Sequence, residues 1–283
     1  MALDVNAVGK TTSPRKFSYD TKDVILYALG VGATRDDELA YLYEKHGPKV
    51  LPTFAVIPSF GVTEELFGLA GGNYEGIVHL RQDLRLHAAL PPEGTLTTTG
   101  SIVGVYDMKR FAQATFRTET SSEDGTLLAT NDWSILFRFD GGFGGPKPPG
   151  EARNKVPEGD PTFRFEQPIP REQALLYRLS GDMNPLHADP EIARTVGFDA
   201  PILHGLATFG YVGRAVLRHL AGGDVSRLRA LGGQFRKPVT PGEGLIVTGY
   251  PTEKDGTFVV RAATDTKPDE FVFTNAYAEI APV

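Results

Sequence analysis

The sequence contains no cysteine, and this absence excludes several kinds of chemistry. Without thiols the chain forms no disulfide, and it has no thiolate to act as a nucleophile or as a metal ligand. This composition fits a reducing compartment. No stretch approaches the roughly 18 consecutive apolar residues that a membrane-spanning helix needs, so we expect no membrane segment.

An excess of basic residues is also missing, because 35 acidic residues outnumber 29 basic ones and the formal net charge is -6. A general nucleic-acid binder needs a basic surface, so we expect no nucleic-acid partner. The first residues lack the apolar core of a secretory signal. The last three, Ala281-Pro282-Val283, do not form a peroxisomal address of the Ser-Lys-Leu type. We expect a cytoplasmic protein, with a peroxisomal location as the alternative.

Glycine and proline dominate residues 140–162, which contain few large apolar side chains. This composition predicts a loop that divides the chain almost in half. Three stretches of the first half recur in the second, in the same order and at an offset of about 150 residues. The matched stretches are 26–29 with 176–179, 52–55 with 201–204, and 92–96 with 241–245. We therefore expect a duplicated domain, with copies at 1–145 and 163–283 and a linker at 146–162.

Within the second copy, helical patterns come first. Residues 170–180 predict a helix that begins at a proline and ends before Gly181. Asp189 predicts the N-cap of a second, short helix. Apolar residues at helical spacing predict a long helix at 205–220. Gly210 and Gly213 lie inside this helix, and we expect a curved sheet to pack closely against them.

Strand patterns follow, at residues 245–248, 257–261, 271–274 and 276–280. The pair Asp255-Gly256 predicts a hairpin turn, and Asp124-Gly125 predicts the equivalent turn in the first copy. A helix followed by an antiparallel meander indicates an α+β unit, in which the sheet wraps around one long helix.

The two copies differ in their polar residues. Asp182, Asn184 and His187 lie within six residues of one another on a loop of the second copy, whereas the first copy has Gly32 at the position of Asp182. His204 is likewise replaced by alanine in the first copy. The second copy therefore carries the candidate catalytic residues.

These residue types suit the addition of water to an activated alkene. An ionised Asp accepts hydrogen bonds, a neutral His both accepts and donates, and Asn orients a ligand through its amide. Hydration needs a base for the water and an acid for the α-carbon, and a neighbouring acid–base pair supplies both. Negative charge on a substrate carbonyl needs a donor, and the backbone N–H of Gly205 at the start of the long helix is one.

Structural interpretations compete with this one. Asp182 on its own is typical of a turn residue, and His187 on its own is typical of a core histidine. A metal site formed by Asp182, His187, Asp189 and His204 is a third interpretation, although the chain has no His-x-x-x-His or Glu-x-x-His pair to support it. Since the first copy lacks the whole polar set, we favour a catalytic role without a metal.

The motif YRLSGDMNPLH at residues 177–187, with PILHG at 201–205, resembles the hydratase 2 motif of the MaoC-like enzymes. The first half, with YALGVGA at 27–33 and GGFGG at 141–145, resembles the N-terminal half of the hydratase 2 unit in peroxisomal multifunctional enzymes. The resemblance implies a double hot-dog fold, usually as a homodimer. It also implies the syn hydration of trans-2-enoyl-CoA to (3R)-hydroxyacyl-CoA without a metal or redox cofactor.

By the same resemblance, Asp182 and His187 match the catalytic pair, Asn184 helps to hold the water, and the Gly205 N–H donates to the thioester carbonyl. Arg178 and Glu44 match a charged pair that links the two halves near the site, with an ordinary surface ion pair as the alternative. The other residues that we expect to support the site or bind the substrate are Tyr177 and His204, with Arg236 and Lys237 as candidates for the CoA phosphates. The degenerate first copy would leave space for a longer acyl chain.

Other functions remain open at this point. The nearest is the dehydration of a (3R)-hydroxyacyl carrier-protein thioester, which is the same chemistry in reverse. A non-catalytic acyl-CoA binding protein is another, and the set of Asp182, Asn184 and His187 argues against it.

Overall fold

A computed structural model describes residues 3–73, 76–150 and 154–282. In these ranges, ten antiparallel strands form one continuous sheet, in the order β1-β3-β4-β5-β2-β7-β10-β9-β8-β6. The strands of the first half are β1 (Arg15–Tyr19), β2 (Ile77–Leu86), β3 (Gly94–Asp107), β4 (Ala112–Ser121) and β5 (Leu127–Phe137). Those of the second half are β6 (Phe163–Pro168), β7 (Leu228–Phe235), β8 (Gly244–Pro251), β9 (Thr257–Thr264) and β10 (Phe271–Ile280).

The strand order shows the duplication directly. Each half contributes five adjacent strands in the same relative order, and the halves join where β2 pairs antiparallel with β7, from Arg81 opposite Gln234 to Arg85 opposite Ala230. This is a double hot-dog arrangement of the α+β class, so the predicted fold is confirmed. The limits that we set for the linker stay a prediction, and its residues 151–153 lie outside the described ranges, as does Val283.

Six α-helices lie in the described ranges. They are α1 (Thr21–Gly30), α2 (Arg35–Glu38), α3 (Phe60–Ala70), α4 (Gln173–Tyr177), α5 (Pro190–Thr195) and α6 (Gly205–Leu220). The long helix predicted at 205–220 is therefore confirmed, as is the short helix that begins after Asp189. The predicted helix at 170–180 is shorter than expected, because α4 continues as a 3₁₀ turn, Arg178–Ser180, before Gly181. No helix in the described part of the chain is both long and apolar enough to cross a membrane.

The long helix α6 is more deeply buried than a one-sided apolar pattern predicts, since every residue from 206 to 217 is buried. A side chain at Gly210 would overlap Val31, and a Cβ at Gly213 would lie 2.5 Å from Cγ2 of Thr53. Both neighbours belong to helical and loop segments of the first half. The sheet also contributes at Gly213, where the Cβ would lie 3.4 Å from Leu231 of β7, so our expectation of close sheet packing holds for Gly213, although the nearest neighbours of both glycines come from the first half.

The strand predictions for β8 and β9 are confirmed, as are both hairpin turns, where Gly125 and Gly256 have φ angles of +85° and +68°. The two strands predicted at 271–274 and 276–280 are instead one strand, β10, with shifts in its pairing register. Asn275 has a φ of +47° there, which is typical of a bulge that bends a strand without ending it.

Candidate active site

The loop that carries the candidate residues is shaped by its own polar side chains. Gly181, with a φ of +132°, ends the 3₁₀ turn after α4. Oδ1 of Asp182 accepts the backbone N–H of Asn184 at 3.2 Å, and Oδ1 of Asn184 accepts the N–H of Leu186 at 3.0 Å. The second bond caps a 3₁₀ helix, Pro185–His187. Asp182 is thus a turn residue as well as a candidate acid–base group.

Three of the candidate side chains converge. One carboxylate oxygen of Asp182 and one ring nitrogen each of His187 and His204 all lie within 4.8 Å of one another. Nδ1 of His187 lies 2.8 Å from the carbonyl oxygen of Ile202. Because a carbonyl only accepts hydrogen bonds, Nδ1 carries the proton and donates it, and Nε2 of neutral His187 holds the lone pair.

His204 is held between the two other members of this cluster. Its Nε2–H donates to the backbone carbonyl of Asp182 at 3.1 Å. Its ring stacks on the ring of His187, with centroids 3.7 Å apart and planes inclined by 26°, and the ring of Tyr177 lies 4.9 Å away. The side chain is only 1% exposed, against 8% for His187. Both imidazoles therefore sit in a fixed, nearly dry setting.

Burial keeps both histidines uncharged at neutral pH. It lowers the pKa of His187, although the Ile202 carbonyl and the Asp182 carboxylate oppose the change. Burial lowers the pKa of His204 to about 3, and the repulsion that would arise between the two rings if both were protonated is the second cause. Burial also raises the pKa of Tyr177 far above its ordinary value, so this side chain stays a neutral hydroxyl. The cluster therefore combines neutral imidazoles with a carboxyl group.

The geometry does not favour a metal ion. Imidazole binds a metal through a lone pair in the ring plane, with zinc about 2.1 Å from the nitrogen. The rings of His187 and His204 are stacked and nearly parallel, so their lone pairs do not converge on one point. Asp189 is not part of the cluster, because its carboxylate caps α5 by accepting the N–H of Glu191 at 2.7 Å. An acid–base site fits these residues better.

Gly205 is the first residue of α6 and directly follows His204. The first N–H groups of a helix have no partner within it, and they lie at the positive end of the helix dipole. A backbone donor for an anion thus adjoins the cluster of Asp182 and His187. Asn184 is exposed on the same loop. The four predicted catalytic residues and His204 are therefore grouped at one site, and the four are Asp182, Asn184, His187 and Gly205.

The predicted link between Arg178 and Glu44 is not formed. Arg178 instead donates from Nη2 to the carbonyl of Met183 at 3.3 Å, while Glu44 is exposed in a 3₁₀ turn. The halves are joined elsewhere by an ion pair of Arg214 with Glu38, in which Nε donates to Oε1 at 3.0 Å. Arg214 stands among apolar residues of α6, and this isolated charge was a sequence signal for a buried pair.

Arg236 and Lys237, the candidates for the CoA phosphates, follow the end of β7 and are exposed. Nζ of Lys237 lies 3.2 Å from Oε2 of Glu270, so this lysine already has an acidic neighbour. Their role in binding CoA stays a prediction. The Ile202 carbonyl, which orients His187, was not predicted, because a backbone acceptor carries no residue-type signal.

In the first half, Gly32 has a φ of +79°, and a Cβ there would lie 2.5 Å from the ring of Tyr211 on α6. This tyrosine from the second half fills the space that a counterpart of Asp182 would take. Ala55, the counterpart of His204, is fully buried, and its carbonyl accepts a hydrogen bond from Nδ2 of Asn131 at 3.1 Å. The room that we expect for a longer acyl chain in the first copy stays a prediction.

Comparison with known protein families gives two matches that together cover most of the chain. A family model described as the MFE-2 hydratase 2 N-terminal domain matches residues 17–139. A model described as a MaoC like domain matches residues 153–269.

Individual proteins match over most of the chain as well. A Mycobacterium tuberculosis protein named 3-hydroxyacyl-thioester dehydratase Y is 39% identical over 262 residues, which covers 89% of each chain. A peroxisomal enoyl-CoA hydratase 2 of Arabidopsis thaliana is 36% identical, over 82% of this chain and 81% of its own. The solved structure of Drosophila melanogaster peroxisomal multifunctional enzyme type 2 is 31% identical with a TM-score of 0.80, over 94% of this chain and 48% of that one.

Proposed function

Because the chain belongs to the MaoC-like hydratase 2 family, we propose that it adds water to trans-2-enoyl-CoA thioesters and forms (3R)-hydroxyacyl-CoA in fatty acid metabolism. The observation that carries this proposal is the position of neutral His187. Its Nδ1–H donates to the Ile202 carbonyl, so Nε2 carries the lone pair and is the basic atom of this side chain. The ring lies beside the Asp182 carboxyl group. This is the arrangement that removal of a proton from water requires.

In the proposed reaction, water lies between Asp182 and His187, with the amide of Asn184 helping to hold it. Nε2 of His187 accepts a proton as the water oxygen bonds to C3 of the enoyl group, and the electrons of the C2–C3 double bond move toward the thioester carbonyl. The Asp182 carboxylate stabilises the imidazolium that forms, since opposite charges at this distance attract. His187 then returns a proton to C2 on the same face, which makes the addition syn.

Negative charge builds up on the thioester oxygen while C2 lacks its proton. The N–H of Gly205 at the start of α6 is the donor that stabilises this charge, together with the helix dipole. A fixed backbone donor acts strongly here because the neighbouring side chains of His187 and His204 are buried. Arg236 and Lys237 extend the proposal to the CoA phosphates, for which guanidinium and ammonium groups are suitable partners.

The same groups catalyse the reverse reaction, the dehydration of a (3R)-hydroxyacyl thioester. The 39% identical relative named a dehydratase favours this direction as the second candidate.

We also propose that the chain forms a homodimer, as the family resemblance implies, and that it works in the cytoplasm. The peroxisomal relatives keep a peroxisome as the alternative location.

The test is loss of the enoyl-thioester absorbance when the purified protein meets trans-2-decenoyl-CoA, with chiral analysis of the product. We expect (3R)-hydroxydecanoyl-CoA. A parallel assay with the same acyl group on a carrier protein shows whether the enzyme prefers CoA or carrier-protein thioesters. Light scattering gives the number of subunits. A folded protein that hydrates neither thioester at any chain length would refute the proposal.

A further inference from the structure

His204 touches both members of the proposed catalytic pair, yet no step of the proposed reaction uses it. Its Nε2–H donates to the carbonyl of Asp182, and its ring covers the ring of His187 at 3.7 Å. The other ring nitrogen, Nδ1, is buried and has no hydrogen-bond partner among the described residues. One hydrogen bond and two ring contacts, to His187 and Tyr177, therefore hold this side chain within the described part of the structure.

The place of His204 in the chain adds to these contacts. It is the residue immediately before Gly205, at the N-cap position of α6, but its side chain does not cap the helix. Residues 206–217 of this helix are buried on all sides, so α6 is a rigid support. Because His204 adjoins the first turn of α6, its contacts hold Asp182 and His187 at a fixed position relative to the N–H of Gly205.

We propose that His204 is a positioning residue for the hydration: it holds the backbone at Asp182, and so the base of that carboxyl side chain, and the ring of His187 in place relative to the Gly205 N–H. The proposal rests on the proposed function. Bringing reacting groups into line accounts for a large part of catalysis, and a misplacement of about 1 Å costs on the order of 10²-fold in rate. His204 meets this need because it bonds the backbone carbonyl of Asp182, stacks on the ring of His187 and directly precedes Gly205, which carries the third group.

The same contacts give His204 a second effect, on the charge of His187. The titratable groups around His204 are His187, Asp182, Arg178 and Tyr177. Its ring covers one face of His187 and keeps water from it, and loss of contact with water disfavours the protonated, charged form of an imidazole. His204 thus helps to keep His187 a neutral base.

Two substitutions separate these effects. His204→Phe keeps an aromatic face against His187 but removes the donor to Asp182, so we expect kcat to fall by about 10²-fold with little change in KM and in the acid limb of the pH profile. His204→Gln keeps an amide N–H for the Asp182 carbonyl but removes the ring. We expect the acid limb of kcat to move to higher pH in this variant, because a polar amide disfavours the imidazolium less.

A matched control lies at the other end of the same helix. The ring of His219 stacks on Phe163 at 5.0 Å with planes only 6° apart, so His219→Gln removes a comparable stacked imidazole away from the site. We expect this control to keep the kcat and the pH profile of the parent enzyme. Nitrogen NMR of the imidazoles measures the pKa of His187 in all variants, whether or not they turn over substrate.

The outcomes separate clearly. Wild-type kcat and pH profile in both folded His204 variants would overturn the inference. So would a loss of kcat that merely follows the fraction of folded protein, with the His187 titration unchanged in His204→Gln. If the parent enzyme itself hydrates no thioester, the proposed function fails. The NMR titration of His187 then still tests the contact with His204 on its own.

Discussion

Arg214 of α6 and Glu38 of the first half form an ion pair whose side chains are only 3% and 7% exposed. The guanidinium also donates from Nη1 to the carbonyl of Val31 at 2.7 Å and to Oε1 of Gln167 at 2.8 Å. Its hydrogen-bonding groups are thus directed to acceptors from both halves. This contact joins the copies nine residues along α6 from Gly205, whereas the resemblance implied a different pair, Arg178 with Glu44, near the site.

The first prediction concerns the stability of this junction. Arg214→Met leaves the carboxylate of Glu38 buried without its partner, and we expect the free energy of unfolding to fall by about 3–5 kcal/mol. Urea denaturation followed by circular dichroism measures the change. The matched control is Arg218→Met, which removes the exposed pair with Asp37 at 2.8 Å and costs about 0–1 kcal/mol. Equal losses in the two variants would mean that the Arg214 pair contributes no more than a surface pair.

The second prediction concerns the proposed acid–base pair. His187→Gln removes the proton-transfer group and Asp182→Asn removes the charge that stabilises its imidazolium, and we expect kcat to fall by about 10²–10⁴-fold in each variant while the folded structure is kept. Enoyl-CoA hydration at saturating substrate measures the loss, and circular dichroism checks the fold. Asp189→Asn is the control, because asparagine also caps a helix and Asp189 lies outside the cluster. Near wild-type turnover in either site variant would remove that residue from the mechanism.

The third prediction tests the packing of Tyr211 against Gly32. Gly32→Ala places a side chain at a positive φ and makes its Cβ overlap the buried ring of Tyr211. We expect these two effects to lower the free energy of unfolding by about 2–5 kcal/mol. Gly125→Ala is a matched control, since Gly125 has a φ of +85° but no atom within 4 Å of the added Cβ. This variant has only the backbone cost, about 1–2 kcal/mol. A Gly32 variant no less stable than the control would show that Tyr211 moves aside at little cost.

The fourth prediction is the pH dependence of stability. Burial lowers the pKa of His79 to about 4 and that of His204 to about 3, from an ordinary value of 6.5. Below pH 6.5 the unfolded chain therefore binds protons that the folded chain does not. The free energy of unfolding is fully retained above pH 6.5 and falls as the pH drops toward 4, by up to about 1.4 kcal/mol per pH unit for each histidine.

Urea denaturation at pH 7.5, 6.5 and 5.5 measures this slope. In His79→Phe, which keeps an aromatic ring beside Trp133 and Phe235, the slope below pH 6.5 should become smaller because one titrating group is gone. A variant with the parent's slope would show that protonation of His79 is not coupled to unfolding.

Features that depend on residues close together in the chain were predicted well from sequence. The bounds of α6 follow from apolar residues at helical spacing, and the turns at Gly125 and Gly256 follow from Asp-Gly pairs. The loop of Asp182, Asn184 and His187 was recognisable as a cluster for the same reason. Repetition of the pattern revealed the duplication, because equal folds need similar local signals.

Only the tertiary structure decided which distant groups meet. It placed Glu38 rather than Glu44 in a buried ion pair between the halves, brought the Ile202 carbonyl to His187, and put Tyr211 into the space beside Gly32. It also merged the two predicted strands into the bulged β10. Such contacts join groups that are distant in the sequence and that meet only when the elements pack. One of them uses a backbone carbonyl, a group that every residue has. Local spacing and residue type therefore carry little information about them, and the packing of the two halves around α6 determines them.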